Sequence, residues 1–151
     1  MTAMTRGSAS NSPFRYGNPT IDCDGAQLRG QCRQLATVVS ISGDVTDANL
    51  DGLIERVRHY ILAEKPLILD LGGVCSFAAR GVSLFGAVDD QCEAAGVEWS
   101  FVTSQSVSRT LRLLGDQNTY PSADSVPEAL HHFSDVMSER RRLLPILGKS
   151  A

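Results

Sequence analysis

The sequence predicts an α/β domain built on a mixed, largely parallel sheet. Three observations carry this. Residues 35–42 (LATVVSIS) and 67–71 (LILDL) are short apolar runs of strand length; apolar side chains between and after them recur at helical spacing; and glycine or proline stands at the junctions. Short strands alternating with helices imply right-handed crossovers between parallel strands. The expected sheet has about four to five strands packed with about four helices.

Taken in order, residues 21–28 mix polar and apolar side chains without strong rhythm and are expected as a weak edge strand, with a turn near Gly30. Residues 35–42 are rich in β-branched side chains and end at Gly43, the pattern of a strand buried on at least one face. Leu50, Leu53, Ile54, Val57, Ile61 and Leu62 then fall on one stripe of a helix, for which Thr46 or Asp47 is the expected cap. Pro66 blocks further helix, and residues 67–71 read as a buried central strand closed by Gly72 and Gly73. A second helix carries Val82, Phe85, Val88, Cys92 and Ala95 and stops at Gly96. Residues 99–103 form another short strand. Ser104 or Ser106 caps a brief helix with Val107, Leu111 and Leu114 inward, ending at Gly115. Tyr120 marks a last edge strand. Ser125 and Glu128 form a capping box for a terminal helix from about Val126 to about Arg142.

The first 19 residues are rich in Ser, Asn, Gly and Pro and are expected as a flexible arm, because ordering them costs more entropy than their burial returns. The domain then spans 20–142, and 143–151 is a C-terminal tail. At 151 residues and 42% hydrophobic content, the chain supplies one core and is too short for two ordinary domains.

Fourteen basic residues against 17 acidic ones give a net charge of -3, without the broad positive field that phosphate backbones require, so nucleic acid is not an expected partner. No run approaches the roughly 20 apolar residues that cross a bilayer, and the start of the chain lacks the apolar core of a secretory signal. The expectation is a cytoplasmic protein without direct membrane insertion. Cys23, Cys32, Cys75 and Cys92 show no CxxC spacing, so neither zinc nor a disulfide framework is expected. They read as reduced thiols.

Catalytic chemistry finds little support. His59, His131 and His132 all fall within amphipathic helices, where a half-exposed polar face explains them. Gly72-Gly73 follows a strand, but no GxxxxGK[ST] or GxGxxG pattern accompanies it, so no cofactor is expected. Arg140, Arg141 and Arg142 suit the negative end of a helix dipole.

One stretch carries a family resemblance. LILDLGGVCSFAARGVSLF, residues 67–85, preceded by SISGDVTDANLDGL and followed by VEWSFV, resembles the STAS domain of bacterial anti-sigma factor antagonists. In that family a strand like IVLDL leads to an F-x-D-S-S-G-like loop, and a helix starts at the glycine. Laid on without gaps, the glycine is Gly81, the phosphate-accepting serine falls on Ala79, the aspartate before it on Ala78, and the second serine on Arg80. The family's G-E-L-D-like turn matches Gly43, Asp44 and Val45, with Thr46 in the place of the aspartate and Asp47 one residue further on.

The resemblance covers roughly residues 21–135 and implies a protein-binding module rather than an enzyme. The implied partner is an anti-sigma factor of the serine kinase type, whose capture frees a sigma factor. The expected contact set is Asp44, Thr46, Asp47, Ser76, Ala78, Ala79, Arg80, Gly81 and Ser83. Alanine has no hydroxyl to accept a phosphoryl group, so phosphorylation at the usual position is unavailable. Two alternatives stand beside this: a STAS subunit of a membrane lipid or anion transport complex, and a thiol redox sensor using Cys75 with Cys92 or Cys23 with Cys32. A small-residue turn that merely lets helix and sheet pack closely is the plain structural explanation of Ala78 to Gly81.

Overall fold

The computed structural model describes residues 20–150, with side chains described for 20–139. The expected arm at 1–19 and the side chains of Arg140 to Arg142 lie outside that description. Six strands form one sheet in sequence order: β1 (Thr20–Cys23), β2 (Ala26–Cys32), β3 (Thr37–Val45), β4 (Leu67–Phe77), β5 (Trp99–Val102) and β6 (Ser122–Ala123). The first three pair antiparallel, and β3 through β6 pair parallel. Four helices complete the domain: α1 (Leu50–His59), α2 (Val82–Ala95), α3 (Gln105–Leu114) and α4 (Val126–Ser150).

Strand periodicity divides the core in two. Leu67, Leu69 and Leu71 of β4 point to one face, where they meet Leu53 and Val57 of α1, Phe85 and Val88 of α2, and Leu111 of α3. Ile68 points to the other face, where it joins Val38 of β3 and Ala129 and Phe133 of α4. Phe85 stands at the centre of an aromatic cluster, with ring centroids 4.6 Å from Phe101, 5.5 Å from Tyr120 and 5.9 Å from Phe77.

Several expectations need correction. The single edge strand at 21–28 is a hairpin, because Asp24 (φ 51°) and Gly25 (φ 104°) form a tight left-handed turn. Gly30 is no turn; it lies within β2, where a Cβ would run into the Tyr60 ring, so glycine is there for close approach. Counting the hairpin, the sheet has six strands rather than about four to five.

Gly72 and Gly73 do not close β4. They carry a bulge inside it: the register shifts between the pairs Ser40–Asp70 and Ser42–Gly73, and a Cβ on Gly73 would lie 2.8 Å from Ser42 Cβ. Leu114 is 45% exposed rather than inward, and Leu62, beyond the end of α1, is 44% exposed. The last strand is at Ser122–Ala123, while Tyr120 packs on Phe85. The final helix passes its expected end at Arg142 and runs to Ser150, through the segment expected as a tail.

Two capping expectations hold, whereas α1, expected to be capped by Thr46 or Asp47, has Asn49 as its N-cap with no side-chain cap hydrogen bond. Ser125 Oγ accepts from Glu128 N at 3.2 Å, and Ser104 Oγ accepts from Val107 N at 3.4 Å. The left-handed stops are Gly96 and Gly115.

Candidate partner-binding site

Parallel pairing of β3 with β4 brings the two loops of interest to one end of the sheet. Asp44 stands opposite Ser76 and Val45 opposite Phe77, so the turn after β3 and the loop after β4 leave side by side. Ala78 N–H donates to Val45 O at 2.9 Å, extending the ladder by one step. Ser76 Oγ donates to Asp44 Oδ1 at 3.0 Å and ties the two rims together.

The turn after β3 is held by a reciprocal pair. Asn49 N–H donates to Thr46 Oγ1 at 3.2 Å, and Thr46 N–H donates to Asn49 Oδ1 at 2.9 Å, the geometry of a capping box with asparagine in the usual glutamate place. The Asn49 amide also donates to Asp44 O at 2.8 Å and Asp24 O at 3.0 Å. One buried side chain thus locks the β1-β2 hairpin, the end of β3 and the start of α1. The sequence reading missed Asn49; the Thr-x-x-Asn spacing was its only local signal.

After β4, one 3-10 turn (Ala79–Gly81) leads into α2, and Gly81 N–H donates to Ala78 O at 2.8 Å. Ala79 and Arg80 are exposed, Ala78 is half-buried, and Gly81 is buried against the Phe77 ring. Ser83 is exposed, and its hydroxyl donates to Arg80 O at 2.6 Å. Asp44 and Asp47 are exposed and Thr46 half-buried, so the surface-forming members of the expected set lie on one end of the domain. A shallow groove, with Thr46, Asp47 and Ala48 on one wall and Ser76 and Ala78 on the other, runs between the loops over Phe77. The close-packing explanation of this turn fits Gly81, where a Cβ would run into the Phe77 ring, while Ala78 is half-buried and Ala79 faces solvent.

The far half of β4 has no strand beside it on the β5 side, because β5 ends at Val102 opposite Asp70. Helix α3 covers that edge instead. Ser106 Oγ donates to Val74 O at 2.9 Å, and Thr110 Oγ1 donates to Phe77 O at 3.1 Å, so hydroxyls satisfy carbonyls that would otherwise be orphaned. The loop is therefore anchored from both sides.

The cysteines are poorly arranged for thiol chemistry. Cys23 pairs with Ala26 beside the hairpin turn, while Cys32 is six residues further along β2, a separation of about 20 Å, whereas a disulfide needs Cα atoms within about 7 Å. Cys92 is buried, and burial, with Asp89 adding to it, pushes its thiol up to about 12. That thiol is not poised to attack anything at neutral pH. All four cysteines are free.

A family model for the STAS domain matches residues 27–129. This chain belongs to the STAS domain family. It is 39% identical over 155 residues to Osmosensory protein A of Mycobacterium tuberculosis (strain ATCC 25618 / H37Rv), covering 99% of this chain and 98% of that one. An anti-sigma factor antagonist from Mycobacterium paratuberculosis superposes with a TM-score of 0.63 at 19% identity, covering 75% of this STAS chain and 97% of that one. The anti-sigma factor antagonist SpoIIAA in its unphosphorylated form gives a TM-score of 0.59 at 12% identity, covering 72% and 96%. At such identities the likeness is one of fold. Among the described residues, no helix of this STAS protein is long and apolar enough to cross a membrane.

Proposed function

We propose that this STAS protein is an anti-sigma factor antagonist: a binding module, not an enzyme, that regulates transcription by capturing an anti-sigma factor of the serine kinase type. The observation that carries the reading is the position of Ala79. It is exposed at the start of α2, beside the Asp44–Ser76 bridge, where the family resemblance puts the phosphate acceptor. A phosphoserine there adds about -1.5 to -2 charge, which a close-packed interface excludes. Alanine removes that off-state, so capture is insensitive to the kinase activity of the partner. Ala78 and Ala79 supply the apolar contact, and Arg80 the charged anchor for an acidic group.

The input that governs capture is then something other than phosphorylation of this loop. Osmotic stress is the condition to examine, because a relative 39% identical over nearly its whole length bears the name Osmosensory protein A. The cytoplasm is the compartment in which such a partner is met.

The test is calorimetric titration of the purified protein into purified serine-kinase anti-sigma factors of its own cell, with and without ATP. Wild type is expected to bind equally in both conditions and to take up no phosphate on residues 78–81. Ala79→Ser restores an acceptor and makes the complex ATP-sensitive; Ala79→Asp and Arg80→Glu weaken it. Failure to bind any such kinase defeats the proposal, and co-purification with a membrane permease or transport ATPase would favour the transport-subunit alternative.

A further inference from the structure

The loop at 78–81 is not the whole of the candidate surface. Helix α3 is tethered to β4 at two successive points, Ser106 to Val74 and Thr110 to Phe77, so helix and strand run the same way toward the same end of the domain. Leu113 and Leu114 follow one further helical turn, about 5 Å, beyond Thr110, which is bonded to Phe77, two residues before Ala79. Leu113 is 80% exposed and Leu114 45%; of the exposed large apolar side chains among the described residues, only Leu62 lies elsewhere.

Those leucines have three arginines near them and one carboxylate, Asp116, two residues beyond Leu114. Arg109 is one turn below Leu113, Arg112 adjoins it, and Arg80 follows Phe77 by three residues; all three are exposed, and none is in an ion pair among the described residues. Leu113 is almost wholly uncovered and Leu114 about half so, and the three nearby arginines have no ion pair among the described residues. Arginine is among the residues enriched at the energetic centre of protein interfaces.

We infer that the last turn of α3, through Leu113 and Leu114 with Arg109 and Arg112, forms the second half of the docking surface and fits an apolar groove rimmed by carboxylates. The charge pattern selects among occupants. A second copy related by a two-fold axis through the last turn of α3 would set Arg109 and Arg112 against their own counterparts. The N-terminal segment 1–19 carries Arg6 and Arg15 and no acidic residue, so it too is repelled. An acidic partner is the remaining choice, and this inference rests on the proposal that the partner is an anti-sigma factor.

The experiment is a titration of the full-length chain against the same purified kinases, comparing wild type, Ala79→Asp, Leu113→Glu and the double variant Arg109→Glu/Arg112→Glu. Because these residues are exposed, thermal melts should match wild type, and sedimentation of each variant alone reports self-association. Losses of about tenfold or more in affinity for both α3 variants, with a salt dependence weakened in the arginine variant, are expected. If Ala79→Asp weakens binding while both α3 variants stay within about twofold of wild type, the inference fails and the loop alone is the site. If wild type is a dimer that Leu113→Glu dissociates, a second copy is the occupant and the inference fails. If no kinase binds wild type, the functional proposal itself falls and takes this one with it.

Discussion

Gly81 offers a test in which two physical effects of opposite sign compete. Its φ of -57° is ordinary helical backbone, so Gly81→Ala should by itself stabilise the start of α2 by about 0.5–1 kcal/mol through reduced chain entropy. Sterics oppose this. A Cβ at residue 81 would lie 2.7, 2.9 and 3.0 Å from three carbons of the Phe77 ring. That ring has little room to retreat, because Phe77 is 7% exposed, sits 5.9 Å from Phe85, and has its carbonyl held by Thr110. Overpacking of this kind costs about 1–3 kcal/mol, so the net expectation is a loss of up to about 2.5 kcal/mol and a fall in Tm of up to about 10 °C. Urea unfolding followed by the fluorescence of the single tryptophan, Trp99, measures it directly. In a Phe77→Leu background the same substitution should cost about 1 kcal/mol less. A Gly81→Ala protein more stable than wild type would refute the steric argument and with it the claim that Phe77 requires glycine at 81.

Further consequences follow from the same contacts. Asn49→Ala strips partners from two carbonyls and from Thr46 N–H, and should cost about 2–3 kcal/mol in chemical denaturation; a loss under about 1 kcal/mol would show that water replaces the amide freely. Ser106→Ala and Thr110→Val each uncover one β4 carbonyl, with an expected loss of about 1 kcal/mol apiece, and faster amide exchange near Phe77 is the companion signal. Cys92 ionises in the unfolded chain at an ordinary thiol pKa but in the folded protein only near 12, so its contribution to stability is complete below the unfolded value and declines as pH rises above about 9. Alkylation at pH 8 should accordingly label exposed Cys32 and Cys75 and spare Cys92 until the chain unfolds. Labelling of native Cys92 at the rate of Cys75 would contradict this.

Element type was legible wherever a pattern is local. The stripe of Leu50, Leu53 and Val57, the apolar run at 67–71, the box formed by Ser125 and Glu128 and the stops at Gly96 and Gly115 all act within a few residues, and each appears in the fold. The Asp24-Gly25 turn was legible too, since Asp-Gly between strands is a hairpin signal, but the alternation on either side of it is weak. The glycines at 30, 72 and 73 misled because glycine marks either a turn or a close approach, and only the neighbours, Tyr60 and Ser42, decide between them.

By itself the sequence determined the α/β alternation and the family to which the chain belongs, since each is written in residue identity and short-range spacing. The tertiary structure decided what is shared between distant residues: the bulge that carries β4 on to Phe77, the Asn49 amide joining three segments, the α3 hydroxyls on the bare β4 edge, and the outward turn of Leu113 and Leu114. These depend on which strands become neighbours and which backbone groups are left over, and no local propensity encodes that pairing.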